Sequence, residues 1–150
     1  TGSCSFRSPV LSAPAMTAGT HCVEFTVERN DGNMYLGVAR ATIDIDAKKD
    51  IDSEGVPFWG LYISSGKSTS PFRAAGRELS WPGKSNSYTK VGDKVRMLLD
   101  LGVGSLTIKR NGALMGVAMQ SGLAGELCWA FAAASSGKRV RMVAVDPRHF

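Results

Sequence analysis

The chain has 150 residues, with a hydrophobic content of 43% and a charged content of 21%. This length suffices for one domain, residues 1–150, with a buried core that needs no disulfide or metal, and the composition is not that of a disordered chain. The formal net charge of +5 is uneven: residues 1–60 hold 5 Lys and Arg against 8 Asp and Glu, and residues 61–150 hold 13 against 5. No apolar run approaches the roughly 20 residues of a membrane helix, and no signal-peptide block opens the chain. We therefore expect an intracellular protein, cytoplasmic or nuclear, or a domain of a longer chain.

The first clear element follows an N-terminal arm or strand expected within residues 1–14. In "HCVEFTVERN", residues 21–30, the side chains of Val23, Phe25 and Val27 alternate with polar neighbours. Alternation with a period of two is typical of a strand with one buried face. The segment "DGN" then turns the chain into a second strand, "MYLGVARATI".

A long acidic loop follows, between Ala41 and Phe58. Its segment "DIDSEG" places Asp50, Asp52, Glu54 and Gly55 at the first, third, fifth and sixth positions of a calcium-binding loop. The twelfth position is Leu61, which cannot supply the bidentate carboxylate. A hydrated loop is therefore the simpler interpretation, and cation binding by five acids remains an alternative, the five being Asp44, Asp46, Asp50, Asp52 and Glu54.

The next stretch, "GLYISSGKST", is similar to a phosphate-binding loop. Five residues separate Gly60 from Gly66-Lys67, whereas the nucleotide motif has four. The motif also requires a helix that opens at the lysine, but Pro71 and Gly76 follow and no apolar helical period is present. We therefore expect no nucleotide site.

Three consecutive antiparallel strands are predicted in residues 91–119. The side chains of Val95, Met97 and Leu99 alternate with their neighbours, as do those of Leu106 and Ile108. The first break is "GVG" at 102–104, and the second is Asn111-Gly112, a hairpin turn whose two residues both need positive φ.

The chain closes with "LCWAFAAA" and "RVRMVAV", which are separated by "SSGK". The alanines at 132–134 favour helix, but glycines and serines bracket too few residues for a stable one. Two further strands are therefore predicted. Short strands separated by Gly, Asn, Asp and Ser indicate an all-β protein, an antiparallel two-sheet sandwich or barrel with little or no helix.

Five blocks of the sequence, taken in order, resemble those of the SPRY domain, the core of the B30.2 module. They are "AGTHCVEFTV", "YLGVARA", "FWGLYISSGK", "VGDKVRMLLDLGVGSLTIKRNGALMGVAM" and "LAGELCWAFAAASSGKRVRM". The most specific block is Gly92 to Ala118, and the resemblance covers about residues 15–145. It implies a concanavalin-like sandwich that works as a monomeric, non-catalytic protein-binding module, for example the substrate-recruiting part of a ubiquitin ligase. In the block "FWGLYISSGK", the resemblance implies that Gly60 serves sheet packing or a bulge.

The resemblance also implies a shallow partner site made by loops between strands. In this chain the similarly placed segments are the one after "YLGVARA", the one through "SPFRAAGRELSWPGKSNSY" and the one at "AAASSGKR". Aromatic and arginine side chains dominate binding energy at interfaces, and cations favour an acidic peptide. The predicted ligand-binding residues are Arg73, Arg77, Trp81, Lys84, Tyr88, Ser135, Ser136, Lys138 and Arg139. Trp81 could instead cover the edge of the core, whereas Trp59 and Trp129 stand in apolar strands and are predicted core residues.

Two other function classes stay open, and catalysis is not expected. A concanavalin-like sandwich can bind sugars, and the basic half can attract nucleic acid. Against an enzyme, the chain has only His21 and His149, no nucleophile motif and no complete glycine-rich dinucleotide loop. Cys4, Cys22 and Cys128 lack metal-site spacing, so we predict reduced thiols, no metal and no cofactor.

Overall fold

A computed structural model describes residues 9–30, 33–44, 50–64, 69–84, 89–133 and 138–150. Within these ranges the chain forms strands and one short 3-10 helix at Pro147–His149. The strands are β1 Val10–Leu11, β2 Thr20–Asn30, β3 Asn33–Arg40, β4 Phe58–Ser64, β5 Phe72–Ala74, β6 Arg77–Leu79, β7 Lys94–Asp100, β8 Ser105–Arg110, β9 Ala113–Met119, β10 Leu127–Ala133 and β11 Lys138–Val145.

The strands pair into two antiparallel sheets. Sheet A has six strands in the order β1-β10-β3-β4-β5-β6, and sheet B has five in the order β11-β2-β7-β8-β9. The predicted all-β, two-sheet sandwich is therefore confirmed. No helix in the described ranges is long and apolar enough to cross a membrane.

The main core lies between the two sheets, where alternate side chains of each strand point inward. Phe25 of β2, Met97 of β7 and Leu36 of β3 are completely buried. Phe25 packs edge-to-face on Trp129 of β10, with ring centroids 6.3 Å apart. The predicted inward residues of β2 and β7 therefore form the core, and strand alternation is what selects them.

Turn chemistry fixes the hairpin that joins β8 and β9. Asn111 and Gly112 have φ values of 50° and 82°, as a two-residue turn with both central residues left-handed requires. The Asn111 side chain stabilises this turn, because its Oδ1 accepts from Lys94 N at 2.9 Å and its Nδ2 donates to Asp93 Oδ1 at 2.9 Å. The predicted hairpin is confirmed, and residues 127–133 form a strand rather than a helix.

A hairpin that the sequence did not reveal joins β5 and β6. Its turn consists of Ala75 and Gly76, at φ 50° and 88°. Gly76 packs directly on the segment before β4, since a Cβ there would lie 2.4 Å from Glu54 Cα. Residues 72–79, which the sequence placed in a binding loop, are therefore mostly strand.

Cysteine placement agrees with reduced thiols. Cys22 and Cys128 are buried and form no disulfide with a described residue, and burial is the main cause that raises the pKa of each thiol. A raised pKa disfavours the reactive thiolate. Cys4 lies outside the described residues.

Candidate functional site

The outer face of sheet A carries a second apolar cluster, separate from the main core. Phe58, Tyr35 and Ala130 pack there under Ile43 and Ile51 of the acidic loop. Tyr35 meets Phe58 edge-to-face, with ring centroids 5.9 Å apart. The acidic loop therefore covers part of this face with apolar side chains, and its charged residues lie around them.

Two glycines shape the centre of the face. Gly37 of β3 lies opposite Gly60 of β4, and Gly60 lies opposite Arg73 of β5. The ring of Phe58 lies over Gly60, where a Cβ would be 2.5 Å from Phe58 Cε1. Gly60 thus serves sheet packing, one of the two roles expected for it.

Tyr62 and Arg73 are the partly exposed side chains at the open side of this cluster. Tyr62 is half-buried on β4 and its ring centroid lies 5.1 Å from that of Tyr35. Arg73 is half-buried on β5, where its Nη1 donates to Gly76 O at 3.4 Å. Opposite Arg73 on β6 is Glu78. We call the surface formed by Tyr62, Arg73, Glu78 and Lys84 the outer A face.

The charges of the outer A face are largely compensated by carboxylates of the chain itself. Lys84 Nζ lies 2.6 Å from Glu78 Oε2, and this contact lowers the pKa of Glu78. Arg77 Nη2 lies 3.0 Å from Glu54 Oε1, in a pair that is mostly exposed. Of the predicted cations near this face, Lys84 and Arg77 therefore have carboxylate partners, and Arg73 has no described carboxylate within salt-bridge distance.

Tyr35 is a buried phenol beside a carboxylate. Its hydroxyl donates to Asp52 Oδ2 at 3.4 Å. Burial is the largest cause that raises the pKa of Tyr35, and the negative charge of Asp52 raises it further.

We therefore expect Tyr35 to keep its proton at a pH at which an exposed tyrosine has lost its own. Because the folded-state pKa lies above the unfolded value of about 10, the neutral phenol contributes stability that is complete below pH ~10 and is lost as the pH rises towards the folded value. In an ultraviolet absorbance titration, wild type should show a late phenol ionisation that coincides with alkaline unfolding, and Tyr35→Phe should lack it. An unchanged late phase in Tyr35→Phe would contradict the assignment.

Trp81 is placed in the core rather than on a loop surface. Its side chain is 6% exposed, and its Nε1 donates to Ser70 O at 3.0 Å. The ring packs beside Phe72 and folds over Gly83. Of the two roles that the sequence left open for Trp81, the geometry therefore favours the one at the edge of the core. Trp129 is buried as predicted, and Trp59 is only partly buried, with the Arg40 guanidinium 6.0 Å from its ring centroid.

The predicted binding residues do not all meet at one place. Arg77 follows the hairpin turn beside Phe58, at the start of β4. Lys138 begins β11 shortly after Ala133, which aligns across β3 with Ile63 near the other end of β4. The seven residues of β4 span about 20 Å, at roughly 3.3 Å each. Arg77 and Lys138 therefore lie at opposite ends of the sandwich.

Arg139 belongs to a different surface, and three other predicted residues are not described. Arg139 reaches Glu28 on the outer face of sheet B, at 3.9 Å. Tyr88, Ser135 and Ser136 lie outside the described residues. The structure thus brings together Arg73 and Lys84, with Arg77 beside them.

Neither nucleotide nor calcium chemistry gains support from the described residues. Leu61 is a completely buried residue of β4, and Glu54 pairs with Arg77. No group of three or more metal-ligating side chains occurs among the described residues. Gly66, Lys67 and Asp46 lie outside them.

Tyr62 is a candidate site residue that the sequence analysis did not name, although the sequence held a signal for it. In "GLYIS" the apolar neighbours Leu61 and Ile63 bracket a tyrosine, and Ile63 and Leu61 are both buried. Trp59, Leu61 and Ile63 alternate towards the core, so Tyr62 must point to the opposite face.

Two of the solved structures with a similar sandwich are SPRY domains. The SPRY domain of human HERC1 superposes with a TM-score of 0.70 at 19% identity, covering 89% of this chain and 80% of that chain. The chain has the SPRY fold. The TRIM65 PSpry domain gives a TM-score of 0.68 at 19% identity and covers 94% of this chain and 70% of that chain.

Comparison of the sequence alone with known families and curated proteins gives no match. No protein-family model matches the sequence, and no curated protein sequence matches it. The resemblance read from the sequence blocks is therefore confirmed by structure, at the level of fold.

Proposed function

We propose that this SPRY-like sandwich is a non-catalytic module that binds a protein or peptide on the outer A face. The observation that carries the proposal is the pair Tyr62 and Arg73, held half-exposed on adjacent strands of a rigid sheet. A tyrosine supplies contact area at low entropic cost, and an arginine supplies several donors in fixed geometry. The resemblance to SPRY domains, which act as interaction modules, supports the same role.

The chemistry of this face narrows the partner. Lys84 and Arg77 already have carboxylate partners, so an acidic peptide would gain attraction mainly at Arg73. We propose a peptide that packs an apolar or aromatic side chain on Tyr62 and places one carboxylate or carbonyl oxygen at Arg73. As the resemblance implies, the module would recruit this partner, inside the cell, to a larger protein such as a ubiquitin ligase component.

Peptide display tests the proposal, because a random library needs no named partner. Peptides selected from such a library on the wild-type domain should bind Tyr62→Ala and Arg73→Ala at least about 30-fold more weakly, which corresponds to the roughly 2 kcal/mol of an interface hot spot. Affinity is measured by fluorescence polarisation, and thermal unfolding confirms that each variant folds.

Arg40→Ala is the matched control, because Arg40 is an exposed arginine of sheet A at the far end of β3. It should leave the affinity unchanged. Selected peptides that bind Tyr62→Ala and Arg73→Ala as tightly as wild type would contradict the proposal. A glycan array run in parallel decides the sugar-binding alternative: glycan binding that depends on Tyr62, with no peptide selected, would replace the peptide by a sugar.

A further inference from the structure

The outer face of sheet B has a charge pattern unlike that of the outer A face. Two carboxylates are each shared by two cations: Glu24 by Lys94 and Arg96, and Glu28 by Arg139 and Arg141. Lys109 lies opposite Arg96 on the neighbouring strand. We call the surface formed by these five cations and two carboxylates the basic face. It carries an excess of three positive charges.

The cations of the basic face project further into solvent than the carboxylates. The side chains of Arg139, Arg141 and Lys94 are 75%, 61% and 55% exposed, whereas those of Glu28 and Glu24 are 34% and 16% exposed. The carboxylates therefore lie between and beneath the cations, and a molecule that approaches the face meets positive charge first. In the ion pair of the outer A face, by contrast, Lys84 and Glu78 are 45% and 42% exposed, so the two charges of that pair reach solvent about equally.

Most ion pairs of the basic face are loose. Arg141, Lys94 and Arg139 lie 3.6, 3.8 and 3.9 Å from their carboxylates, which is longer than an N–H···O hydrogen bond. Exposed pairs at such distances contribute little to stability. The three cationic groups can therefore turn to an external anion at small energetic cost.

A cleft lies beside these cations, and main-chain oxygens near it accept hydrogen bonds from two of them. Its volume is about 280 Å³, and it is lined by Glu24, Lys94, Arg96, Asn111, Gly112 and Phe150. Arg96 Nη1 donates to the main-chain oxygen of His149, and Lys109 Nζ donates to that of Phe150 at 2.9 Å. Main-chain oxygens thus bind two of the five cations, and the cleft between the turn at Asn111 and Phe150 has room for a side-chain carboxylate.

Apolar side chains flank the cations in the same cross-strand row. Strand register aligns Val143, Glu24, Arg96, Lys109 and Leu114 across the sheet. Val143 and Leu114, at the two ends of the row, are 46% and 62% exposed. The row therefore offers cations in its centre and apolar surface at both ends.

From these observations we propose that the basic face binds an acidic, extended protein segment, at a site distinct from the outer A face. Carboxylates of alternate residues would meet the cations, and intervening aliphatic residues would contact Val143 and Leu114. A single-stranded nucleic acid fits less well, because such sites combine cations with exposed aromatic rings on which bases stack. Among the described residues of this face the aromatic ring is that of Phe150, which Lys109 Nζ covers at 4.5 Å from the centroid.

The test uses a fluorescein-labelled peptide that repeats the unit Glu-Ser-Glu-Val three times. Wild type should bind it, with an affinity that falls as sodium chloride is raised. The double variant Arg141→Glu/Lys94→Glu should bind at least about tenfold more weakly, because both cations face the peptide. A second variant, Arg139→Gln/Arg141→Gln, changes only exposed groups and should also weaken binding. It replaces the charge-reversed variant in the test if that protein does not fold.

The matched control is Arg40→Glu/Arg77→Glu, which changes the net charge equally with residues of β3 and β6, on sheet A rather than on sheet B. It should bind the peptide within about twofold of wild type. If both double variants lost affinity for the peptide equally, net charge alone would control binding and the proposed site would be wrong. The proposal would also be contradicted if the wild-type protein did not bind the peptide. Tighter binding of a labelled oligothymidine, or of phosphatidylserine vesicles, with the same dependence on Arg141 and Lys94 would overturn the acidic segment as partner.

Discussion

Trp81→Ala should lower the free energy of unfolding by about 3–5 kcal/mol, the range for removal of a large buried aromatic side chain. Trp81 packs beside Phe72 and donates to Ser70 O at 3.0 Å. The next residue, Pro82, lies against β9, where a Cβ on Gly116 would be 3.0 Å from Pro82 Cβ. Trp81 and Pro82 therefore close the open edge between β6 of sheet A and β9 of sheet B, and the substitution would leave a cavity there.

Urea unfolding followed by circular dichroism measures this change. Trp81→Phe is the matched variant: it keeps most of the apolar volume and loses the hydrogen bond to Ser70, so we expect a loss of about 1–2 kcal/mol. A folded Trp81→Ala protein with wild-type stability would contradict the core role of this side chain. If Trp81→Ala lost the ability to bind a partner, the cause would therefore be the disturbed fold rather than the removal of a direct contact.

The second large effect is expected at Gly37, in the centre of sheet A. A Cβ at this position would lie 1.9 Å from Trp59 O and 2.6 Å from Gly60 Cα, both atoms of the neighbouring strand backbone. Backbone atoms cannot turn aside as a flexible side chain does, so Gly37→Ala must separate β3 from β4. We expect a destabilisation of more than about 4 kcal/mol, which falls in the exceptional range for single substitutions.

Gly102→Ala is the control for Gly37→Ala. Gly102 lies in the turn after β7 and is exposed, and the nearest atom to an added Cβ would be Asp100 Oδ1 at 3.0 Å, the end of a side chain. Its effect on thermal unfolding should stay within about 0.5 kcal/mol, as at most surface positions. Equal melting temperatures for Gly37→Ala and wild type would show that the two strands tolerate a wider separation.

Much of the fold followed from alternation and turn chemistry. Val23, Phe25 and Val27 identified the inner face of β2, and Asn111-Gly112 identified the hairpin between β8 and β9. These signals are local, because each depends on residues within one strand or one turn.

The hairpin of β5 and β6 gave no comparable signal. Each strand has three residues, too few for alternation to be recognised. The turn residue Ala75 adopts φ 50° although alanine is not typical of that region. Backbone contact explains the conformation, because Ala75 N donates to Phe58 O at 2.9 Å and Gly55 N donates to Ala75 O at 3.0 Å.

The site was only partly predictable, because it depends on contacts between distant segments. Arg77 and Glu54 are 23 positions apart, and Arg96 and Glu24 are 72 apart. A count of charges along the sequence showed the basic half correctly, but it could not show which cations have carboxylate partners. Because Arg77 and Lys84 pair with carboxylates, the excess positive charge lies on the outer face of sheet B rather than in the segments around Trp81.

The resulting molecule has two chemically different surfaces on opposite sides of one sandwich. The outer A face offers Tyr62 and Arg73 beside the Lys84–Glu78 ion pair, whereas the basic face offers an excess of cations with apolar ends. A partner of the first would be selected by shape and apolar contact, and a partner of the second by charge. Salt should therefore weaken binding at the basic face much more than binding at the outer A face.

Nuclear magnetic resonance of the isotopically labelled domain tests the central claim most directly, with a peptide selected by display as the ligand. If the outer A face is the partner site, the amide signals that shift should be those of Gly37, Gly60, Tyr62, Arg73 and Glu78, which lie on neighbouring strands around the Tyr62–Arg73 pair. Shifts confined to sheet B, with the signals of Tyr62 and Arg73 unchanged, would contradict it.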